Sequence, residues 1–150
     1  MFSPRLSLRL GALGDYTSPM SLPSTTRIQV EPIASPVTSL PPIAVEFEVP
    51  EGMSIPAERL RWFASVRAEF PRLWELAMAG LQRHFDDLDD PRRVPDAVLS
   101  AGIHLLLPDE PETDDSFHWS LGFEIRDRQP WQGWEANFQG HRFAGIMFYA

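Results

Sequence analysis

A chain of 150 residues and 17.0 kDa with 43% apolar residues holds one domain with a continuous core and is too short for two of ordinary size. It has no cysteine, which excludes disulfides, thiol nucleophiles and cysteine-ligated zinc or iron–sulfur sites. A formal charge of −8 and a pI near 4.9 argue against a phosphate-neutralising surface, and so against nucleic acid as a partner.

The start, Met1 to Leu10, carries Arg5 and Arg9 and lacks the apolar run of about 7–15 residues of an export signal. No apolar stretch approaches the ~20 residues that span a bilayer. A cytoplasmic protein away from membranes is expected. Residues 1–42 contain Pro19, Pro23, Pro32, Pro36, Pro41 and Pro42, which break any long periodic pattern, so this segment has room for short edge strands only. Thr26 to Val30 alternates and is the candidate for one.

The rest, 43–150, reads as a single α+β domain. Ile43, Val45, Phe47 and Val49 alternate with Ala44, Glu46 and Glu48, which predicts a strand with one wet face. Pro56 then opens a helix running to about Glu69, with Leu60, Phe63, Val66 and Phe70 as its buried stripe and Arg59, Arg61, Arg67 and Glu69 in solvent. Pro71 forces a break at Phe70. A second helix buries Leu73, Leu76, Ala77, Leu81 and Phe85 and stops near Phe85, because the aspartates that follow oppose the dipole at a helix C-terminus. The last third predicts antiparallel sheet. Ile103, Leu105 and Leu107 form a short apolar run, and Phe117, Trp119, Leu121, Phe123 and Ile125 alternate with His118, Ser120, Gly122, Glu124 and Arg126. Finally 134–139 meets 142–149 across Gly140-His141, a two-residue loop of type II′, in a register pairing Phe138 with Phe143, Ala136 with Gly145, Trp134 with Met147, Asn137 with Ala144 and Glu135 with Ile146. The expected fold is an antiparallel sheet of about five or six strands with both helices on one face. Leu60, Phe63, Leu73, Leu76, Phe117, Trp119, Phe138 and Phe143 should share its core.

Residues 86 to 115 hold ten acids, Asp86, Asp87, Asp89, Asp90, Asp96, Asp109, Glu110, Glu112, Asp114 and Asp115, against Arg92 and Arg93, so they account for the whole net charge of −8. Charge this localised speeds association with a basic partner; it equally describes two solvated loops that keep the chain soluble. Asp87-Leu88-Asp89 begins like a calcium loop, but Asp90, Pro91 and Arg92 stand where another oxygen ligand and then glycine are needed. His84, His104, His118 and His141 show no zinc spacing, and no metal or cofactor is expected. There is no G-x-S-x-G elbow. Gly11-Ala12-Leu13-Gly14 lacks a phosphate-loop pattern, and the chain has no lysine to complete one. One acid–base set can be assembled, His118 with Glu124 and Glu135 on the wet sheet face; the alternative for these residues is a solvated polar surface. Trp62, Trp74, Trp119 and Trp134 fall on or beside core faces. Trp131 falls in a loop and joins the acids as a partner-binding candidate.

The order of strand, proline-started helix, second helix with an aromatic near its end, acidic gap, strand and terminal hairpin, over about Ile43 to Tyr149, resembles a group of small uncharacterised bacterial proteins. Some of these lie beside polymorphic-toxin or type VI secretion loci and are taken for immunity proteins. In that group a Trp-Asp-x-Glu-His-Gly segment leads into the last hairpin. Here Pro130-Trp131-Gln132-Gly133-Trp134 stands at that place and keeps the Trp and the Gly, without the acidic and histidine positions. The resemblance implies a non-enzymatic binding protein of immunity type, which neutralises a toxin or effector by covering it; the acidic segment suits a basic one. A small hydrolase or ligand-binding enzyme built on His118, Glu124 and Glu135 is the competing expectation.

Overall fold

The computed structural model describes residues 24–107, 117–129 and 132–149. Their elements follow in the order β1 (Thr25–Ile33), β2 (Ile43–Pro50), α1 (Ala57–Ala68), α2 (Phe70–Asp87), β3 (Val98–Leu106), β4 (His118–Ile125), β5 (Gly133–Gln139) and β6 (Arg142–Tyr149). The strands form one six-stranded sheet in sequence order. The fold is α+β. Four of the strand pairings are antiparallel, as expected, while β2 and β3 run parallel, so the sheet is mixed. The reason is the connection: α1 and α2 both lie between β2 and β3, and a helical crossover returns the chain in the direction in which it left.

Period-two alternation gives the sheet a dry face and an open face. Val45, Phe47, Ile103, Leu105, Leu121, Phe123, Trp134 and Phe138 are buried on the dry face. The helices lie across it, through edge contacts of Phe47 with Phe63, Trp74 with Phe123 and Phe85 with Trp134, ring centroids 5.6, 6.1 and 6.0 Å apart. Ile33, at the end of β1, belongs to the same core cluster. The proline-rich segment therefore contributes an edge strand to the domain.

The break at Pro71 is present: Glu69 leaves helical geometry between the helices and Pro71 occupies the first turn of α2, where its missing N–H has no partner to lose. It also overturns part of the expected core. Phe70 is buried but belongs to α2, and of the stripe projected onto α1, Phe63 and Val66 are buried as expected while Leu60 is not. α1 buries Arg59, Trp62, Phe63 and Val66 and leaves Leu60 44% exposed. In α2 the stripe runs through Trp74 in place of Leu76, which is 36% exposed. Arg59, expected in solvent, lies with its guanidinium 4.8 Å from the centre of the Phe117 ring.

α2 runs two residues past Phe85, to Asp87, because its end is capped by the backbone. The Asp90 N–H donates to the Phe85 carbonyl (2.8 Å) and the Asp89 N–H to that of Asp86 (3.1 Å), the paired bonds of a Schellman motif, with Asp89 at φ 55° in the position glycine usually fills.

The terminal hairpin turns at Gly140, whose φ is 60° while His141 has no positive φ, as a type II′ turn requires. Phe138 pairs with Phe143 as expected, but the register then shifts, so that Asn137 faces Gly145, Ala136 Ile146, Glu135 Met147 and Trp134 Phe148. The unshifted register would have turned Ile146 and Phe148 to the open face. One extra residue beside Gly145, whose φ of 140° only glycine adopts readily, returns both to the core side.

Candidate functional site

On the open face the residues stand in rows across the strands. One row is Ala44 on β2, Gly102 on β3, Gly122 on β4 and Glu135 on β5. Three successive positions thus carry at most a methyl group. The next row is Glu46, His104, Ser120 and Asn137, and on the other side stand Ser100 and Glu124. Side chains on both sides of a strip of bare backbone make a trench, and all of these residues but Glu124 line a cavity of about 580 Å³, within the usual range of ligand sites. Arg27 and Gln29 on β1 and His118 on β4 form part of its rim.

The parallel β2–β3 pairing sets His104 beside two acids. Its Nδ1 lies 3.0 Å from Glu46 and its Nε2 2.9 Å from Glu48; the second contact is close but misaligned, and neither atom gains a hydrogen bond from it. Arg27 Nε lies 3.9 Å from both carboxylates, and the Thr25 hydroxyl donates to Glu48 at 2.5 Å. Two acids, an arginine and a histidine thus hold one another at this end of the face.

His118, Glu124 and Glu135 do share the open face, yet they form no hydrogen-bonded set. His118 and Glu124 are six residues apart on one strand, roughly 20 Å at ~3.3 Å per residue. Glu124 is engaged by Arg128 at 3.7 Å and Ser100 at 3.5 Å. Glu135 accepts a hydrogen bond from the Tyr149 hydroxyl at 2.8 Å and is only 7% exposed. The structure brings His118 and Glu135 to the same cavity and leaves Glu124 outside its lining.

Of the acidic segment, Asp109, Glu110, Glu112, Asp114 and Asp115 lie outside the described residues, as does Trp131. The others divide. Asp90 accepts from Arg92 through the backbone N–H at 2.9 Å and through the guanidinium at 2.5–3.0 Å. Those side-chain bonds above all hold its carboxyl below the usual carboxylate range, against the opposing effect of burial. The same guanidinium lies 4.9 Å from the Phe85 ring centre and 5.0 Å from that of Trp134, so Asp90 fixes a cation over the core. Asp86 meets Arg93 at 3.4 Å and Gln82 at 3.0 Å. Asp87, Asp89 and Asp96 are exposed.

A further cluster escaped the sequence because it joins residues 65, 69 and 141. Ser65 Oγ lies 2.9 Å from His141 Nε2, and His141 Nδ1 contacts the Glu69 carboxylate. The connectivity is that of a nucleophile, a base and an acid. The protons point elsewhere: the Ser65 hydroxyl donates to the Trp62 carbonyl at 2.5 Å, so it has none to pass to His141. An imidazole donating from both nitrogens satisfies every atom. Glu69 is held below the ordinary carboxylate range first by its hydrogen bond to His141 and then by Arg72, which contacts it at 3.0 Å. The cluster is an ion-paired clasp between the β5–β6 turn and the α1–α2 junction.

Among the described residues no group of three or more histidine and acidic side chains is arranged to hold a metal, and no helix is long and apolar enough to cross a membrane. Compared with family models, curated proteins and solved structures, the chain matches none.

Proposed function

We propose that this chain is a binding protein that receives a protein partner on the open face of its sheet, and that the immunity-type role implied by the resemblance, covering a basic toxin or effector, is the most concrete form of that function. The observation that carries the reading is the trench: a pre-formed concavity of about 580 Å³ floored by Ala44, Gly102 and Gly122 on three central strands. Hydrogen bonds on both sides hold such a floor rigid, and a rigid surface loses little entropy when it binds. The exposed acids at the end of α2 would then raise the rate of encounter with a basic partner without entering the contact.

The test places a photo-crosslinking residue at His118 or Leu106, on the open face, and at Glu75 or Arg83, on the outer surface of α2, in cells of the source organism. The same partner captured from both open-face positions and from neither helix position supports the proposal. Capture from the helix positions alone, or from none, overturns it. With that partner in hand, replacing Asp86, Asp87, Asp89 and Asp90 by asparagine should slow association by a factor that shrinks as salt is raised, because exposed charges are screened beyond about 8 Å at physiological ionic strength, while dissociation barely changes.

A further inference from the structure

We infer that Glu135 is the anchor of this face, and that the group it anchors is the guanidinium of an arginine on an extended segment of the partner, laid along the trench. The inference rests on the open-face reading above and specifies its ligand. Among the described residues the buried charged side chains are Arg59 and Glu135. Glu135 lines the cavity, and its hydrogen-bond partner there, the Tyr149 hydroxyl at 2.8 Å, is neutral. The other acids of the open face have a cation: Glu46 and Glu48 have Arg27, with His104 beside them, and Glu124 has Arg128. No such ion pair involves Glu135 among the described residues. A carboxylate withdrawn from water with only a neutral donor is held at a cost that an incoming cation relieves.

The surroundings select the kind of cation. Gly122 faces Glu135 on the β4 side, so no side chain from that position stands between Glu135 and the trench, and both residues line the cavity. On the β6 side stands Met147, 44% exposed, an apolar surface against which an aliphatic stem can lie. Ser120 and Asn137, hydrogen-bonded to each other at 2.8 Å, add further polar oxygen atoms in the adjacent row. A flat floor, a carboxylate at its end and several acceptors along one wall suit a planar ion with five donors that sheds water readily, which favours guanidinium over ammonium. Crossing three strands at ~4.8 Å spacing, the trench is about 10–15 Å long, room for the arginine and the backbone that presents it.

The probes are N-acetylarginine amide, its lysine and citrulline counterparts, and a glycine-rich hexapeptide carrying one central arginine, each titrated into the full chain and followed by amide NMR shifts. The arginine amide should move Gly102, Gly122 and Glu135, the neutral citrulline isostere should bind at least tenfold more weakly, and the lysine compound should fall between them. The hexapeptide should bind at least tenfold more tightly than the amide; equal affinity would make a free small cation the ligand and overturn the segment. Glu135→Gln keeps an acceptor for Tyr149 and removes the buried charge, so its thermal midpoint should equal or exceed that of the wild type while arginine binding drops at least tenfold. Citrulline binding as well as arginine, or an unaffected Glu135→Gln variant, overturns the anchor. If that variant still crosslinks its partner from His118 with unchanged affinity, the anchor fails and the open-face function stands; if the wild type crosslinks nothing there, the open-face function itself fails.

Discussion

Gly80 sits in the middle of α2, where replacing glycine by alanine ordinarily stabilises a helix by about 1 kcal/mol. Here the sign should reverse. A Cβ on Gly80 would lie 2.4 Å from Phe143 Cζ, 2.9 Å from Cε2 and 3.3 Å from Cε1, so the ring would have to retreat by roughly 1 Å to reach van der Waals distance. Its retreat is resisted by Phe138, against which it packs edge-on at 5.7 Å, and by the register of β6, in which Phe143 pairs with Phe138 one position from the turn. Overpacking of this kind costs about 1–3 kcal/mol, so Gly80→Ala should be destabilised by about 1 kcal/mol net, a fall of roughly half a molar in the urea midpoint for a slope near 2 kcal/mol/M. Phe143→Ala removes the obstruction. In that background Gly80→Ala should stabilise by up to ~1 kcal/mol, giving a coupling of about 2 kcal/mol in the double-mutant cycle. The four proteins are compared by urea unfolding at equal slope. If Gly80→Ala stabilises both backgrounds equally, α2 does not rest on β6 as described.

The phase of α1 predicts that Trp62→Ala loses about 3–5 kcal/mol while Leu60→Ala stays within ~0.5 kcal/mol; equal losses in urea titrations would restore the stripe through Leu60. The clasp predicts a pH signature. Because the folded-state value of Glu69 is lowered, its contribution is complete above the ordinary carboxylate range, near 4.3 for glutamate, and fades as pH falls through the lower folded value. The midpoint difference between wild type and Glu69→Gln should be largest at about pH 6 and shrink towards pH 3.5, and a constant difference would dismiss the ion pair. At the end of α2, Asp89→Gly should raise stability by roughly 0.5–1 kcal/mol by relieving the positive φ, read as a higher thermal midpoint. Asp90→Ala should lower stability well beyond Asp87→Ala, since Asp90 holds Arg92 and Asp87 is exposed; similar effects would reduce both to surface charge.

Local pattern determined much of this protein. The alternation from Ile43 to Val49 and from Phe117 to Ile125 assigned each strand a dry and a wet side, Pro71 placed the helix break, and Gly140 placed the turn, because each depends on residues within one or two turns of chain. Glu46, Ser120, Glu135 and Asn137 could accordingly be read as an open polar face. What they face was decided by pairing. That Ala44, Gly102 and Gly122 align into one trench, and that His104 meets Glu46 and Glu48, follows from the parallel β2–β3 contact, where residues about 58 apart in sequence become neighbours and no periodicity records the offset. The bulge at Gly145 changed which side Met147 and Ile146 occupy, since a slip of one residue reverses a strand's faces and only contact with α2 and the core chooses between them. Arg59 was misplaced for a related reason: helical spacing marks which residues share a side, and the packing partner alone fixes which side is buried.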